Sequence, residues 1–248
     1  MDLIFYLSFV PLIFILNYYI KKKNLIKNLS GDKHQYYISD KYIPLSGGLF
    51  FFILSSIYLF SKNNIFLSFI FIFLAIGLLG DIKKLVSPKK RLLIQILSCL
   101  GFIVIYNLKI TDTRIDLFNE ILEINYISYI FTLFCVLILI NGSNFIDGLN
   151  GLLIGYLAIV LFVVLKFSQT ENLIVFYENF NLFFLCLLFL LIMNFFNQFF
   201  LGDGGSYSVG FFLAVLLIDI YTNNAYRVSP YFIILLLWYP CFENLFSI

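Results

Sequence analysis

Asn141 to Gly151 reads N-G-S-N-F-I-D-G-L-N-G and lies between two long apolar runs, 126–140 and 152–165. Three asparagines, three glycines, a serine and an aspartate fall within these eleven residues. A plain connecting turn needs only one or two of them. Asn141, Asn144 and Asp147 stand at i, i+3 and i+6, so in a helical turn they share one side. Glycine lets backbone approach a ligand closely. The stretch therefore reads as a segment that points amides and a carboxylate at a polar ligand where a membrane helix ends.

The flanking runs set the fold class. Hydrophobic residues make up 62% of the 248 and charged residues 12%, with a mean hydropathy of +0.98. Such a chain lacks the polar surface of a soluble domain. Its apolar runs are continuous rather than alternating, which excludes a β-barrel and points to an all-α polytopic membrane bundle. The net charge of +2 says little about partners, and no nucleic acid is expected. Cys99, Cys135, Cys186 and Cys241 all sit in apolar runs without metal-like spacing and read as structural thiols.

Nine spans are expected, at 3–20, 45–60, 65–79, 92–106, 126–140, 152–167, 180–196, 208–222 and 230–247. Lys21, Lys22 and Lys23 follow the first span, and no basic residue precedes it. That polarity is opposite to a cleaved signal peptide. With 21–44, 80–91, 141–151 and 197–207 inside, eleven of the sixteen Lys and Arg are cytoplasmic, giving an N-out, C-in reading. Segment 107–125 reads as an ordinary outer connection, and residues 1–248 as a single domain.

Of the fourteen acids, Asp81, Asp147 and Asp203 fall in the three later inner loops, each beside a glycine. One carboxylate thus leaves each of three helix ends on one face. Mg²⁺ favours such oxygen ligands, usually one or two carboxylates with substrate phosphates and water. The plainer reading is three solvated loop ends. Lys83, Lys84, Lys89, Lys90 and Arg91 either serve positive-inside topology or attract phosphate, which Arg91 could grip bidentately. Ser87-Pro88 fits a helix cap and first turn. Gln95 reads as structural. Gly47 and Gly48 serve helix packing or close backbone approach. His34, the sole histidine, reads as a surface residue or as a base or metal ligand. Asp219 reads as interfacial, and Glu243 as an intramembrane acid of uncertain depth.

Four stretches, in order, carry a resemblance: PLSGG (44–48), GLLGDIKKLVSPKKRLLIQ (77–95), NGSNFIDGLNG (141–151) and FLGDGGSYSVG (200–210). Together they resemble the polyprenyl-phosphate N-acetylhexosamine-1-phosphate transferases, from about residue 40 to the end. The tail from Trp238 resembles the glycosyltransferase branch of that family. The resemblance implies transfer of a sugar 1-phosphate from a UDP-N-acetylhexosamine to undecaprenyl phosphate, with Mg²⁺, at the cytoplasmic side of the bacterial inner membrane. It implies catalytic roles for Asp81, Asp147 and Asp203, with Asp203 and Asp81 as metal ligands. Asn141, Asn144, Asn150, Asn194, Lys84, Arg91, Gly47 and Gly48 would contact substrates, the lipid bilayer would surround the protein, and a homodimer is compatible with it.

Departures accompany the likeness. Gly80 stands where the family has the first acid of a pair, and Asn150 where it often has a second aspartate. The proline usual after the residue matching Asn194 is absent. The family's later cytoplasmic loop with a His-x-His element and its final helix are expected to be missing, so a binding-only or split-enzyme chain is the alternative. A transporter would show internal repeats and midplane polar groups, whereas these motifs cluster at helix ends.

Overall fold

The computed structural model describes residues 2–25, 43–60, 62–171 and 178–246. His34 and part of the first inner loop lie outside them. Among the described residues there are ten helices and no strand: α1 (Asp2–Lys23), α2 (Gly47–Leu59), α3 (Asn64–Asp81), α4 (Pro88–Tyr106), α5 (Asp116–Leu122), α6 (Asn125–Ile146), α7 (Leu152–Thr170), α8 (Phe180–Phe195), α9 (Gly202–Asn223) and α10 (Pro230–Phe246). Five of these, α1, α3, α6, α7 and α9, are long and apolar enough to cross a membrane, while α2, α8 and α10 are shorter apolar helices. The chain is a helical membrane protein.

The central element is α9. Its apolar stretch is 89% buried, against 28–44% for the other four long helices. It packs on α2, α3 and α6, while α10 leans on α6, and α1 and α7 lean on α8. Phe211 and Phe212 show why the chain is so rich in phenylalanine. Phe211 meets Phe73 at 4.4 Å and Phe102 at 5.1 Å, and Phe212 meets Phe51 and Phe66, each at 5.6 Å. Two adjacent side chains thereby tie α9 to α2, α3 and α4 through ring contacts that favour offset or edge geometry.

In a bilayer, helices gain little from burying apolar surface against each other, so close packing through small residues sets the contacts. A Cβ on Gly142 would lie 2.1 Å from the Pro240 carbonyl oxygen, which puts α6 against α10 at backbone distance. A Cβ on Gly77 would lie 2.3 Å from the Asp203 carbonyl, placing α3 against the first turn of α9. Gly48 meets the Gly205 amide in the same way, at 2.5 Å.

Several boundaries differ from the sequence reading. The stretches assigned to inner loops are largely helical: α6 runs on through Asn141–Ile146, α9 begins at Gly202, and α4 takes in Lys89–Arg91. Glycine and serine score as loop formers by propensity, but here their small size admits neighbouring helices, and packing outweighs propensity. The Ser87-Pro88 expectation holds in backbone, with Ser87 extended and Pro88 opening α4, although the serine side chain makes no capping bond. Segment 107–125, expected as a plain connection, contains a short helix, α5.

Candidate functional site

The four motifs converge at one end of the bundle. PLSGG docks against residues 199–201, which lead into α9. The Phe200 amide donates to the Pro44 carbonyl at 2.9 Å, and the Gly47 and Gly48 amides donate to the carbonyls of Phe200 and Leu201 at 3.0 and 3.3 Å. Gly47 and Gly48 are both buried in this contact. The structure gives them a backbone-packing role, with Gly47 against Phe199 and Leu201.

Asp81, the last residue of α3, reaches the start of α9. Its Oδ1 accepts the Asp203 amide at 3.0 Å and its Oδ2 accepts the Gly204 amide at 3.2 Å. Asp147 follows the last turn of α6 and lies within electrostatic reach of Asp81 and Asp203. Burial, together with the negative charges of Asp81 and Asp203, pushes Asp147 well above the usual carboxylate range. The three aspartates picked out in the sequence are therefore one cluster.

Arg91 lies in the first turn of α4, and its Nη1 makes an ion pair with Asp203 Oδ2. Cations at a helix N-terminus oppose the macrodipole, so this position needs a partner, and Asp203 supplies it. The same Nη1 lies 3.4 Å from the Tyr207 hydroxyl. Gly80 borders the pair: a Cβ there would sit 3.1 Å from Asp203 Oδ2 and 3.2 Å from Arg91 Nη1. The space next to the family's first acid is thus taken by a cation and a carboxylate already paired. Lys84 is exposed in the turn after Asp81, with Lys83, Lys89 and Lys90 exposed beside it.

Asn141 and Asn144 do share a side of α6, as the spacing requires. Asn141 Nδ2 donates to Gln95 Oε1 at 3.3 Å and to the Leu137 carbonyl at 2.9 Å, and Asn144 Oδ1 accepts the Ser206 hydroxyl at 2.7 Å. Gln95 is buried, in keeping with its structural reading. Asn150 and Asn194 point elsewhere. Asn194 Oδ1 accepts the Gly151 amide at 2.7 Å, and its Nδ2 donates to the Phe199 carbonyl at 2.8 Å. Asn150 Nδ2 donates to Asn197 Oδ1. Together they brace the turn after α6 to the turn before α9, and Asn194 is only 2% exposed, so both its polar ends serve the backbone rather than a ligand. Asn194→Leu is expected to leave two backbone groups unpartnered, at roughly 1–3 kcal/mol each. Thermal unfolding in detergent checks this, and an unchanged Tm would refute the bracing role.

Ser206 and Tyr207 were not singled out from the sequence, although both lie inside FLGDGGSYSVG. They stand three and four residues after Asp203, so helical spacing alone places them on its face. Reading that motif as a loop hid the relation.

The donor set is all oxygen, as a hard divalent cation requires. Among the described residues no three acidic, histidine or cysteine side chains are grouped to hold a metal ion alone. A cation would therefore need substrate oxygens as well. Asp203 suits this, since its side chain is engaged by a guanidinium that a metal ion could replace; both Asp81 oxygens already accept backbone donors.

Comparison with known proteins adds the ancestry. The chain is 28% identical over 220 residues to the phospho-N-acetylmuramoyl-pentapeptide-transferase of Dictyoglomus turgidum, covering 84% of this chain and 71% of that protein. It is also 28% identical over 220 residues to the probable undecaprenyl-phosphate N-acetylglucosaminyl 1-phosphate transferase of Bacillus subtilis, covering 85% and 61%. A Prochlorococcus marinus phospho-N-acetylmuramoyl-pentapeptide-transferase is 31% identical over 216 residues, covering 77% and 56%. The chain thus spans little more than half to about seven-tenths of these relatives' lengths. The profile of glycosyl transferase family 4 matches residues 64–221, which hold Asp81, Arg91, Asp147 and Asp203, and the chain belongs to that family.

Proposed function

We propose that this protein transfers N-acetylhexosamine 1-phosphate from a UDP-sugar to undecaprenyl phosphate, releasing UMP, as the opening step of a cell-envelope polysaccharide. The observation that carries this reading is the convergence of Asp81, Arg91, Asp147 and Asp203 at one end of a membrane bundle. A lipid acceptor requires a site reached from the bilayer, and a nucleotide sugar requires one open to water. A helix-end cluster serves both. The proposal includes nine spans in an N-out, C-in arrangement, with the site at the cytoplasmic face of the bacterial inner membrane.

In the reaction, an acceptor phosphate oxygen bonds to the sugar-bearing phosphorus of the donor as the bond from that phosphorus to the bridging oxygen breaks. UMP leaves with the electron pair. Catalysis of such a displacement is mostly positioning and charge neutralisation. Arg91 can turn its guanidinium from Asp203 to a phosphate, since the planar fork fits both. Lys83, Lys84, Lys89 and Lys90 raise the local concentration of anions. Mg²⁺, held by Asp203 and substrate oxygens, would supply charge stabilisation to the diphosphate. Asn141 and Asn144 line the α6 side.

Two observations favour a second reading, donor binding without turnover. Gly80 replaces an acid, and Arg91 is paired to Asp203. Both readings meet in one assay: purified protein, UDP-N-acetylhexosamines, undecaprenyl phosphate and Mg²⁺, with UMP measured. Release that requires both lipid and Mg²⁺ is expected. Bound nucleotide sugar without release would instead establish the second reading.

A further inference from the structure

A helix begins with amides that have no partner inside it. In α9 these are met from outside. Leu201, at the capping position, makes no side-chain bond to the helix. Instead the amides of Asp203 and Gly204 are taken by the two oxygens of Asp81, a carboxylate at the end of α3. The fit requires glycine at 202, with φ at +71° and a would-be Cβ only 2.8 Å from Asp81 Oδ2. Gly77, one turn before Asp81, lets α3 lie directly on the same turn. The side chain of Asp203 engages Arg91, away from the cap.

A helix N-terminus ordinarily attracts a ligand's phosphate. Here two of its first amides are taken by the protein's own Asp81 carboxylate. We propose that Asp81 is a positioning residue, a cap supplied by another helix that fixes the turn carrying Asp203, and that Asp203, not Asp81, meets the ligand. Its catalytic consequence rests on the transferase reading; the cap itself does not.

The experiment compares Asp81→Ala, Asp81→Asn and Asp203→Asn, each in detergent. Thermal unfolding without metal or nucleotide comes first. Asp81→Ala is expected to lower Tm by about 2–4 °C, the scale of a lost helix cap. Asp81→Asn should fall between it and the wild type, because its carbonyl oxygen still accepts one amide. Asp203→Asn leaves both bonds of the cap in place and should lower Tm less than Asp81→Ala. An unchanged Tm in Asp81→Ala, or Asn no better than Ala, overturns the cap.

UMP release then separates positioning from ligand contact. Asp81→Asn is expected to lose about tenfold in rate, as for a group that orients another, with its Mg²⁺ activation constant unchanged. A loss as complete as that of Asp203→Asn, or a shifted activation constant, overturns the assignment. A wild-type protein without release would sink the transferase reading, while the unfolding series would still decide the cap.

Discussion

Gly77→Ala is expected to unseat α3 from α9 and to damage stability and activity together. The new Cβ would lie 2.3 Å from the Asp203 carbonyl carbon and oxygen and from the Gly204 nitrogen. These are backbone atoms in the first turn of a buried helix, so no rotamer change relieves the clash. Overpacking costs roughly 1–3 kcal/mol where side chains can shift, and an immovable neighbour puts this site at or above the top of that range. The displaced turn also carries Asp203. Unfolding in detergent should show a Tm several degrees lower, and UMP release should fall with it. Gly101→Ala makes a suitable control, because its nearest neighbours are ring atoms of Phe69 at 3.8 Å, an ordinary contact. Equal behaviour of the two variants would contradict the close approach.

The second large effect is expected at Asp203. Asp203→Asn keeps the size of the side chain and the backbone bonds to Asp81, yet removes the charge that pairs with Arg91. A metal-binding carboxylate contributes several kcal/mol to stabilising a phosphoryl transition state, which corresponds to a rate loss of roughly 100-fold or more. The protein should remain folded and retain its detergent elution volume. Most of the activity surviving in this variant would remove Asp203 from the centre of the reaction.

Helix existence was legible in the sequence because long apolar runs leave few alternatives. The extents were not. Asn141–Ile146 and Gly202–Tyr207 look like loops by composition, and only contact with other helices explains why they coil. The candidate site shows the same division. Asp81, Asp147 and Asp203 could be grouped because each emerges at a helix end beside glycine, and the structure brings all three together. What each carboxylate accepts depends on where two distant helices end, and no local pattern encodes that. Asn194 shows the converse: the resemblance picks the residue, but its partners, Gly151 and Phe199, belong to two separate turns. Tyr207 lies inside FLGDGGSYSVG one helical turn after Asp203, and only the helical course of that stretch puts the two side chains on one face.

The enclosure of α9 also bears on how the protein is made. Its start carries an aspartate and three glycines among its first four residues, so its N-terminal turn has little of its own to hold it in a bilayer. The neighbours that complete it, α2, α3 and α6, are all encoded earlier in the chain. Synthesis therefore delivers the capping carboxylate of Asp81 and the receiving glycines to the membrane before the segment that needs them. The site is completed when this polar turn arrives among partners encoded before it.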